Sequence, residues 1–396
     1  MHAATLLHFW LGQWLSCIHS TRLVSLFDMV AACVAGTGLS ITSVGRRLPG
    51  PTTLKHKIKR ADRVIGNPHL YRERTAIYGA LCRVTLARIP EPLILMDWSP
   101  LKADQSFHLL RASIAVGGHA LTLYEEIHPH CHLGNPKVQE RFLHIVAGLL
   151  PPGAAPIIIA DAGFKVPFFR AVEALDWRWV GRLRGRDYVR LNADWISGKS
   201  LFKKATTKPV RLGIGDWVRS NPLPVVMVLV RLPKCGRHDK TASGRIARSR
   251  KSRKAARSQR EPWLLLATRR LGHLAAKAIV RIYRQRMQIE EGFRDMKSLY
   301  FGQGYEANRS HDLKRLSIIV LIAALAAFLL FMIGATAERL NLQRGMHASS
   351  STRRVYSLSF LASLILNVTK VEIALSEFLA PEEQVAQFHQ ALLLDE

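Results

Sequence analysis

The stretch "APIIIADAGFKVPFF", residues 155–169, changes character at one residue. Up to Ala160 it is a short apolar run without polar alternation, as in a strand buried on both faces; beyond Gly163, "VPFFRAVEAL" at 166–175 has the spacing of a helix. Asp161 therefore stands at the end of a buried strand. The same pattern occurs at 92–98, where "PLILMDW" is a short apolar run ending in Asp97. Between the two lie "SFHLLRASIAV" and "HALTLYEEI", separated by a Gly117-Gly118 turn, and then the helical run "VQERFLHIVAGLL". After them comes the strand "WRWVGRLRG". Strands one to three read as consecutive hairpins and the fourth is reached through a helix, so the expected fold is α/β, a mixed sheet covered by helices.

The whole chain has 396 residues, enough for a large core and for two or three domains. Its 57 Lys and Arg against 29 Asp and Glu give a net charge of +28, which self-repels unless a polyanion neutralises it. Nucleic acid is the leading partner and an anionic membrane surface the second. The five cysteines are scattered, never spaced C-x-x-C, and fit a reducing cytoplasm better than a disulfide framework or a zinc ribbon. "HPHCH", residues 128–132, reads as a polar surface loop, because alternating His and Cys around Pro129 do not converge easily on one ion. The apolar start lacks a cationic leader and a clear cleavage site, so no signal peptide is expected. Residues 316–337, "LSIIVLIAALAAFLLFMIGATA", are long enough to cross a bilayer, yet a helix packed on all sides in a large core has the same composition. The core helix is the expectation.

Residues 1–70 read as helical. "ITSVGRRL", a Pro-Gly turn and "PTTLKHKIKRADRVIGN" form a helix-turn-helix pattern with Pro51 at the start of the second helix and Gly66-Asn67 at its end. That helix would bury Leu54, Ile58, Ala61 and Ile65 and present Lys55, Lys57, Lys59, Arg60 and Arg63 to a DNA groove, or simply to solvent. Short strands follow at 186–233. The next segment, 234–260, carries eleven Lys and Arg and few large apolar residues, as a basic loop ordered only by DNA would. "PWLLLAT" closes this β insertion, and one helix from about residue 272 is expected to carry "YRQRMQIEEGFRDMK", residues 283–297.

An Asp at a strand end is commonly a turn-former. Two such acids on neighbouring strands plus a Glu on a helix, in a chain so rich in cations, suggest more: three clustered carboxylates repel unless divalent cations hold them ionised. Two ions about 4 Å apart activate an attacking oxygen and stabilise a leaving one in phosphodiester cleavage. On the expected helix Tyr283, Arg286, Glu290 and Lys297 are three, four and seven residues apart, so all four would share one face. Glu290 would ligate metal while Tyr283, Arg286 and Lys297 grip phosphates; Glu291 would point about 100° away.

The pattern Tyr-x2-Arg-x3-Glu-x6-Lys resembles the signature of cut-and-paste DDE transposases of bacterial insertion sequences, with Asp97 and Asp161 matching their other two catalytic acids. The contexts "DWS", "ADAGFKVPFF", "RMQIEEGFRDMKS" and "TLKHKIKRADR" are most similar to the group typified by the tetracycline-resistance transposon. The resemblance covers essentially the whole chain and is weakest over 234–260. It implies a ribonuclease H-like core interrupted by a β insertion. It also implies Mg2+ as cofactor, two ions with Mn2+ able to substitute, bound by Asp97, Asp161 and Glu290. The implied reaction is cleavage at transposon ends through a DNA hairpin, then attack of the 3′ hydroxyl on target DNA. The partners are terminal inverted repeats and target DNA, bridged by a homodimer, in the cytoplasm of a bacterium and on its nucleoid, with no membrane involved.

In the same group an extruded base stacks on an aromatic ring, a position matched by Trp263, while a side chain matched by Met287 wedges into the vacated stack. Strand core and helix filler are the alternatives for these two. Arg182 and Arg184 could reach DNA phosphates or be outward residues of an alternating strand. The implied segments are 1–70 for DNA binding, 71–185 and 269–345 for the two parts of the core, 186–268 for the insertion, and 346–396 as a helical region, a candidate for dimerisation. A structure-specific nuclease, a DNA-binding regulator with an inert core and a membrane-anchored basic protein are the competing classes. The three acids speak against the regulator; strand-transfer products separate the nuclease.

Overall fold

The most apolar run of the chain forms a single helix, Leu313–Arg339, and its surroundings organise half of the molecule. The computed structural model describes residues 3–36, 38–184, 187–232, 249–250, 261–299, 302–346, 354–369 and 371–394. Helices are α1 (Ala3–Leu11), α2 (Ser20–Val34), α3 (Ile41–Arg47), α4 (Leu54–Ile65), α5 (Pro68–Leu86) and α6 (Pro136–Leu149). They continue as α7 (Val166–Ala174), α8 (Ala276–Arg284), α9 (Met287–Lys297), α10 (Leu313–Arg339), α11 (Leu358–Asn367) and α12 (Pro381–Leu394). Strands are β1 (Leu93–Pro100), β2 (Phe107–Val116), β3 (His119–Pro129), β4 (Ile157–Ala160) and β5 (Arg178–Leu183). They continue as β6 (Tyr188–Leu191), β7 (Asp194–Ser197), β8 (Val210–Trp217), β9 (Leu223–Val230) and β10 (Trp263–Thr268). The chain divides into a first unit of Met1–Leu133, His144–Ala154 and Met287–Glu396, and a second of Gly134–Leu143 and Ala155–Arg286.

In the first unit β1, β2 and β3 form an antiparallel meander. Gly117 and Gly118 both take positive φ in the two-residue turn that closes β2 onto β3, which is why two glycines stand there. The core is α10, with mean hydropathy 3.1 over its most apolar window and 89% of that window buried. It packs on α2, α5, α11 and β3, so the run that could pass for a membrane span is covered by protein on its several faces. Gly334 marks the tightest crossing: a Cβ there would lie 2.1 Å from the Leu358 carbonyl oxygen of α11. At the C-terminus α12 docks through His389, whose Nδ1 donates to Ala115 O at 2.9 Å, and burial holds the imidazole below its ordinary value.

The helices α3 and α4 pack closely on each other, with a Cβ on Gly45 only 2.7 Å from the Ile58 Cα. Two details differ from the expectation. α4 starts at Leu54 behind Thr53, not at Pro51, and Leu54 is 59% exposed rather than buried. The close approach at Gly45 and Ile58 lies one turn further along, so the first turn of α4 projects beyond its partner and only Ala61 and Ile65 are fully buried.

In the second unit the strand order is β4-β5-β10-β9-β8-β6-β7, with β4 and β5 parallel and the remaining pairs antiparallel. The β segment after β5 therefore extends one mixed sheet, and β10 returns to lie beside β5. α7 covers β5, where Gly181 makes room for Phe169: a Cβ would come within 2.7 Å of that ring. The basic run 234–260, apart from residues 249–250, lies outside the described residues.

Candidate active site

Asp97 lies inside β1, which runs on through Trp98, Ser99 and Pro100. The apolar run stops at the acid but the strand does not, because pairing with β2 continues to Pro100 opposite His108. Its Oδ1 accepts the Trp98 backbone N–H at 2.8 Å. Directly across the ladder stands Arg111 of β2, which pairs in turn with Glu125 of β3. Two residues past Asp97, the Ser99 hydroxyl accepts a 2.7 Å hydrogen bond from Lys297 Nζ.

The helix expected to carry Tyr283 to Lys297 is two helices. α8 ends at Arg284, and the amides of Gln285 and Arg286 turn back to the carbonyls of Ile282 and Tyr283, three residues behind, tightening the last turn before α9 begins at Met287. The break coincides with the division between the units, so Tyr283 and Arg286 belong to the second and Glu290 and Lys297 to the first. The single four-residue face is thus divided into two pairs. Glu290 is exposed in the first turn of α9, where the helix dipole favours a carboxylate. Lys297 is half-buried in its last turn, with its amine 5.7 Å from the centre of the Phe293 ring.

Burial pushes the Lys297 amine down to about 8, with the nearby Arg111 charge adding to it and Glu306 and Asp97 opposing. Below that pH the amine is a cation; if it meets a DNA phosphate, as the sequence pattern leads one to expect, binding above that pH takes up a proton. Affinity for duplex DNA, measured without divalent metal, is therefore expected to fall by up to about tenfold per unit as pH rises through about 8, and Lys297→Arg to abolish that fall. A pH profile unchanged by Lys297→Arg would take Lys297 out of the contact. The sign for stability is opposite: with the folded value depressed, stability rises as pH increases above about 8, where the unfolded chain holds the extra proton.

In the second unit Asp161 follows β4 directly, and its Oδ1 accepts the Gly163 N–H at 2.7 Å in a local turn. Gly163 is needed there, because a Cβ would press within 2.9 Å of the same oxygen. Tyr283, expected to offer its hydroxyl from an open face, is only 2% exposed: its ring packs edge-on against Trp263, centroids 5.1 Å apart. Burial pushes the phenol up to about 12, with the Arg286 and Arg182 charges opposing and Asp161 assisting, so it stays protonated. Arg286 lies 5.9 Å from the centre of the Tyr283 ring and Arg182 5.7 Å from the centre of the Trp263 ring. Glu261 accepts from Arg184 Nε at 3.0 Å and lies 3.5 Å from Arg182 Nη2. Trp263 is half-buried, and Met287, at the start of α9, is 45% exposed.

The basic helix α4 shows Lys55, Lys59 and Arg63 to solvent and leaves Lys57 half-exposed. Arg60 instead turns inward to pair with Asp28 and to donate to Pro49 O at 3.2 Å. Sequence reasoning missed Arg111, Glu125, Ser99 and Glu261. A signal for two of them existed: one Arg in the apolar run "LLRAS" faces the acids of "LYEEI" when the hairpin closes.

Carboxylates are hard oxygen donors of the kind Mg2+ takes, so the donor chemistry of Asp97, Asp161 and Glu290 fits that ion. Among the described residues no three His, Cys, Asp or Glu are grouped closely enough to hold one. Against known proteins, a family model described as transposase DDE domain matches residues 88–329. No curated protein matches the chain. A cryo-EM structure of a piggyBac transposase synaptic complex with hairpin DNA is similar at 10% identity and a TM-score of 0.43, covering 100% of this chain and 84% of that one.

Proposed function

The chain belongs to the transposase DDE domain family, and from that premise we propose that Asp97, Asp161 and Glu290 are the catalytic carboxylates of a cut-and-paste reaction at transposon ends. As a DDE transposase it is an enzyme that cleaves DNA and transfers strands, with divalent metal as the general cofactor of such enzymes. The observation that carries the assignment is that the matched span, 88–329, contains all three acids. The proposed reaction runs from hydrolysis at the transposon end through a hairpin to attack of the 3′ hydroxyl on target DNA. We assign the chain to the cytoplasm and nucleoid of a bacterium, acting as a homodimer with residues 346–396 contributing to the interface.

As ligands, Asp97, Asp161 and Glu290 would hold two Mg2+ ions. When bound, the ions activate the attacking oxygen and neutralise charge on the leaving one. The chain's own groups do the rest. Lys297, Arg286 and Arg184 neutralise backbone phosphates, Arg182, 13% exposed between Glu261 and the Trp263 ring, holds that ring in place, and Lys55, Lys57, Lys59 and Arg63 of α4 fix the protein on the terminal repeat. Arg60, engaged with Asp28, supports α4 from below rather than meeting DNA. Tyr283, held protonated and buried, backs the Trp263 ring so that its face can receive an extruded base, while the exposed Met287 fills the gap left in the stack.

The test is incubation of the full chain with a labelled duplex ending in the repeat that flanks its gene, with Mg2+. Nicked, hairpin and strand-transfer products are expected; binding with no cleavage would sink the enzymatic reading. Trp263→Ala is expected to nick at the normal rate and to lose hairpin formation by roughly 10- to 100-fold, since base–aromatic stacking contributes about 1–3 kcal/mol. Normal hairpin yield from that variant would return Trp263 to an ordinary strand position.

A further inference from the structure

Arg111 is a charged side chain, 5% exposed, in the middle of the first unit's meander. Its Nε donates to Glu125 Oε2 at 2.7 Å, and the other oxygen of that carboxylate accepts the Tyr78 hydroxyl at 2.9 Å. The Glu125 side chain is 0% exposed, and burial pushes its carboxyl upward against the pull of Arg111. A buried pair of this kind adds little stability over apolar side chains of the same volume, so its value has to be sought in what it holds in place.

What it holds is visible from its other contacts. Arg111 stands opposite Asp97 in the β1–β2 ladder, and directly paired residues project on the same face of a sheet. The far end of its guanidinium reaches α9: Nη2 donates to Met296 Sδ at 3.1 Å, and the group stacks 4.8 Å from the centre of the Phe293 ring. Phe293 and Met296 are three and six residues after Glu290, on the turns that set where Glu290 points. A second tie between the same two elements is the Val116 N–H, which donates to Gln288 Oε1 at 3.0 Å.

We propose that Arg111, locked by Glu125 and Tyr78, is a positioning residue that sets the spacing between the strand bearing Asp97 and the helix bearing Glu290, and so the geometry of the metal-holding pair. The inference rests on the reading of Asp97 and Glu290 as metal ligands. Its reasoning is geometric. The guanidinium is a rigid planar fork, used on one edge by Glu125 and on the other by α9, whereas a lysine ammonium is a point charge on a flexible stem. A lysine would keep the charge and lose the spacing.

The experiment compares Arg111→Lys and the doubly neutral Arg111→Met/Glu125→Gln with the parent chain, all full length. Three readouts are taken: end-duplex binding without metal, cleavage in Mg2+ against Mn2+, and backbone scission by radicals generated from bound Fe2+. Mg2+ demands near-ideal octahedral geometry, and the larger Mn2+ tolerates departures from it. Both variants are expected to bind DNA as the parent does and to lose cleavage in Mg2+ by about 10- to 100-fold, the usual effect of freeing a group that orients metal ligands. Mn2+ should recover most of the loss. Fe2+ scission, expected at Asp97, Asp161 and Glu290 in the parent, should weaken at Glu290 alone. Equal losses in both metals that follow the urea midpoint would make Arg111 structural and overturn the proposal, as would full Mg2+ activity in either variant. Failure of the underlying reading looks different: Asp97→Ala and Glu290→Ala would then cleave, and parent scission would map elsewhere.

Discussion

Asp97→Ala, Asp161→Ala and Glu290→Ala are each expected to lose at least about 10³-fold in cleavage of a transposon-end duplex, about 4 kcal/mol of transition-state stabilisation. The loss is large because each carboxylate is read as a ligand of the ions that carry charge in the transition state, which leaves no partial substitute when one is removed. Residues that act as one unit are non-additive, so any double variant should be hardly worse than a single one. End binding should stay within about twofold, since affinity for DNA comes from cations meeting phosphates and these changes remove none of them. Glu291→Ala is the control. Glu291 neighbours Glu290 on α9 but is half-buried and turned by about 100°, so its loss should cost no more than a few-fold. Single-turnover cleavage of a labelled duplex measures all four. An inactive Glu291→Ala beside an active Glu290→Ala would reverse the assignment.

Gly334→Leu is expected to destabilise the chain by about 3 kcal/mol or more, the upper part of the range for overpacking, because the clash is with backbone rather than a side-chain end. A Cβ at Gly334 would lie 2.1 Å from Leu358 O and 2.6 Å from its carbonyl carbon, so α10 and α11 must separate along their whole contact to admit it. The urea midpoint of the variant should fall well below the parent's. Gly148 of α6 is the counterpart: nothing lies within 4 Å of a Cβ there, so Gly148→Ala should be neutral or gain roughly 0.5–1 kcal/mol from helix propensity. A Gly334→Leu protein with the parent midpoint would show that the two helices do not pack as described.

Much of this protein is legible from the order of its residues. Apolar runs broken by acids were enough to place β1 and β4, because a strand buried on both faces has no polar alternation to blur it. Gly117-Gly118 determined the hairpin, because two positive φ angles in succession exclude most other residues. The excess of cations pointed to nucleic acid, and the resemblance of Tyr283, Arg286, Glu290 and Lys297 to a known family signature pointed to a transposase, ahead of any geometry. Other features were decided only by tertiary structure. Helical periodicity runs through 283–297 without interruption, yet the chain breaks at Gln285–Arg286, since local spacing carries no record of which unit each half packs against. Tyr283 is buried against Trp263, and Arg60 is taken by Asp28. Leu313–Arg339 has the composition of a membrane span; its neighbours α2, α5, α11 and β3, drawn from distant parts of the chain, make it a core helix. Arg111 shows the same limit at the scale of one residue. Its opposite charge was legible in the paired strand, but its reach to Phe293 and Met296 joins residues more than 180 positions apart, which only the closed fold brings together.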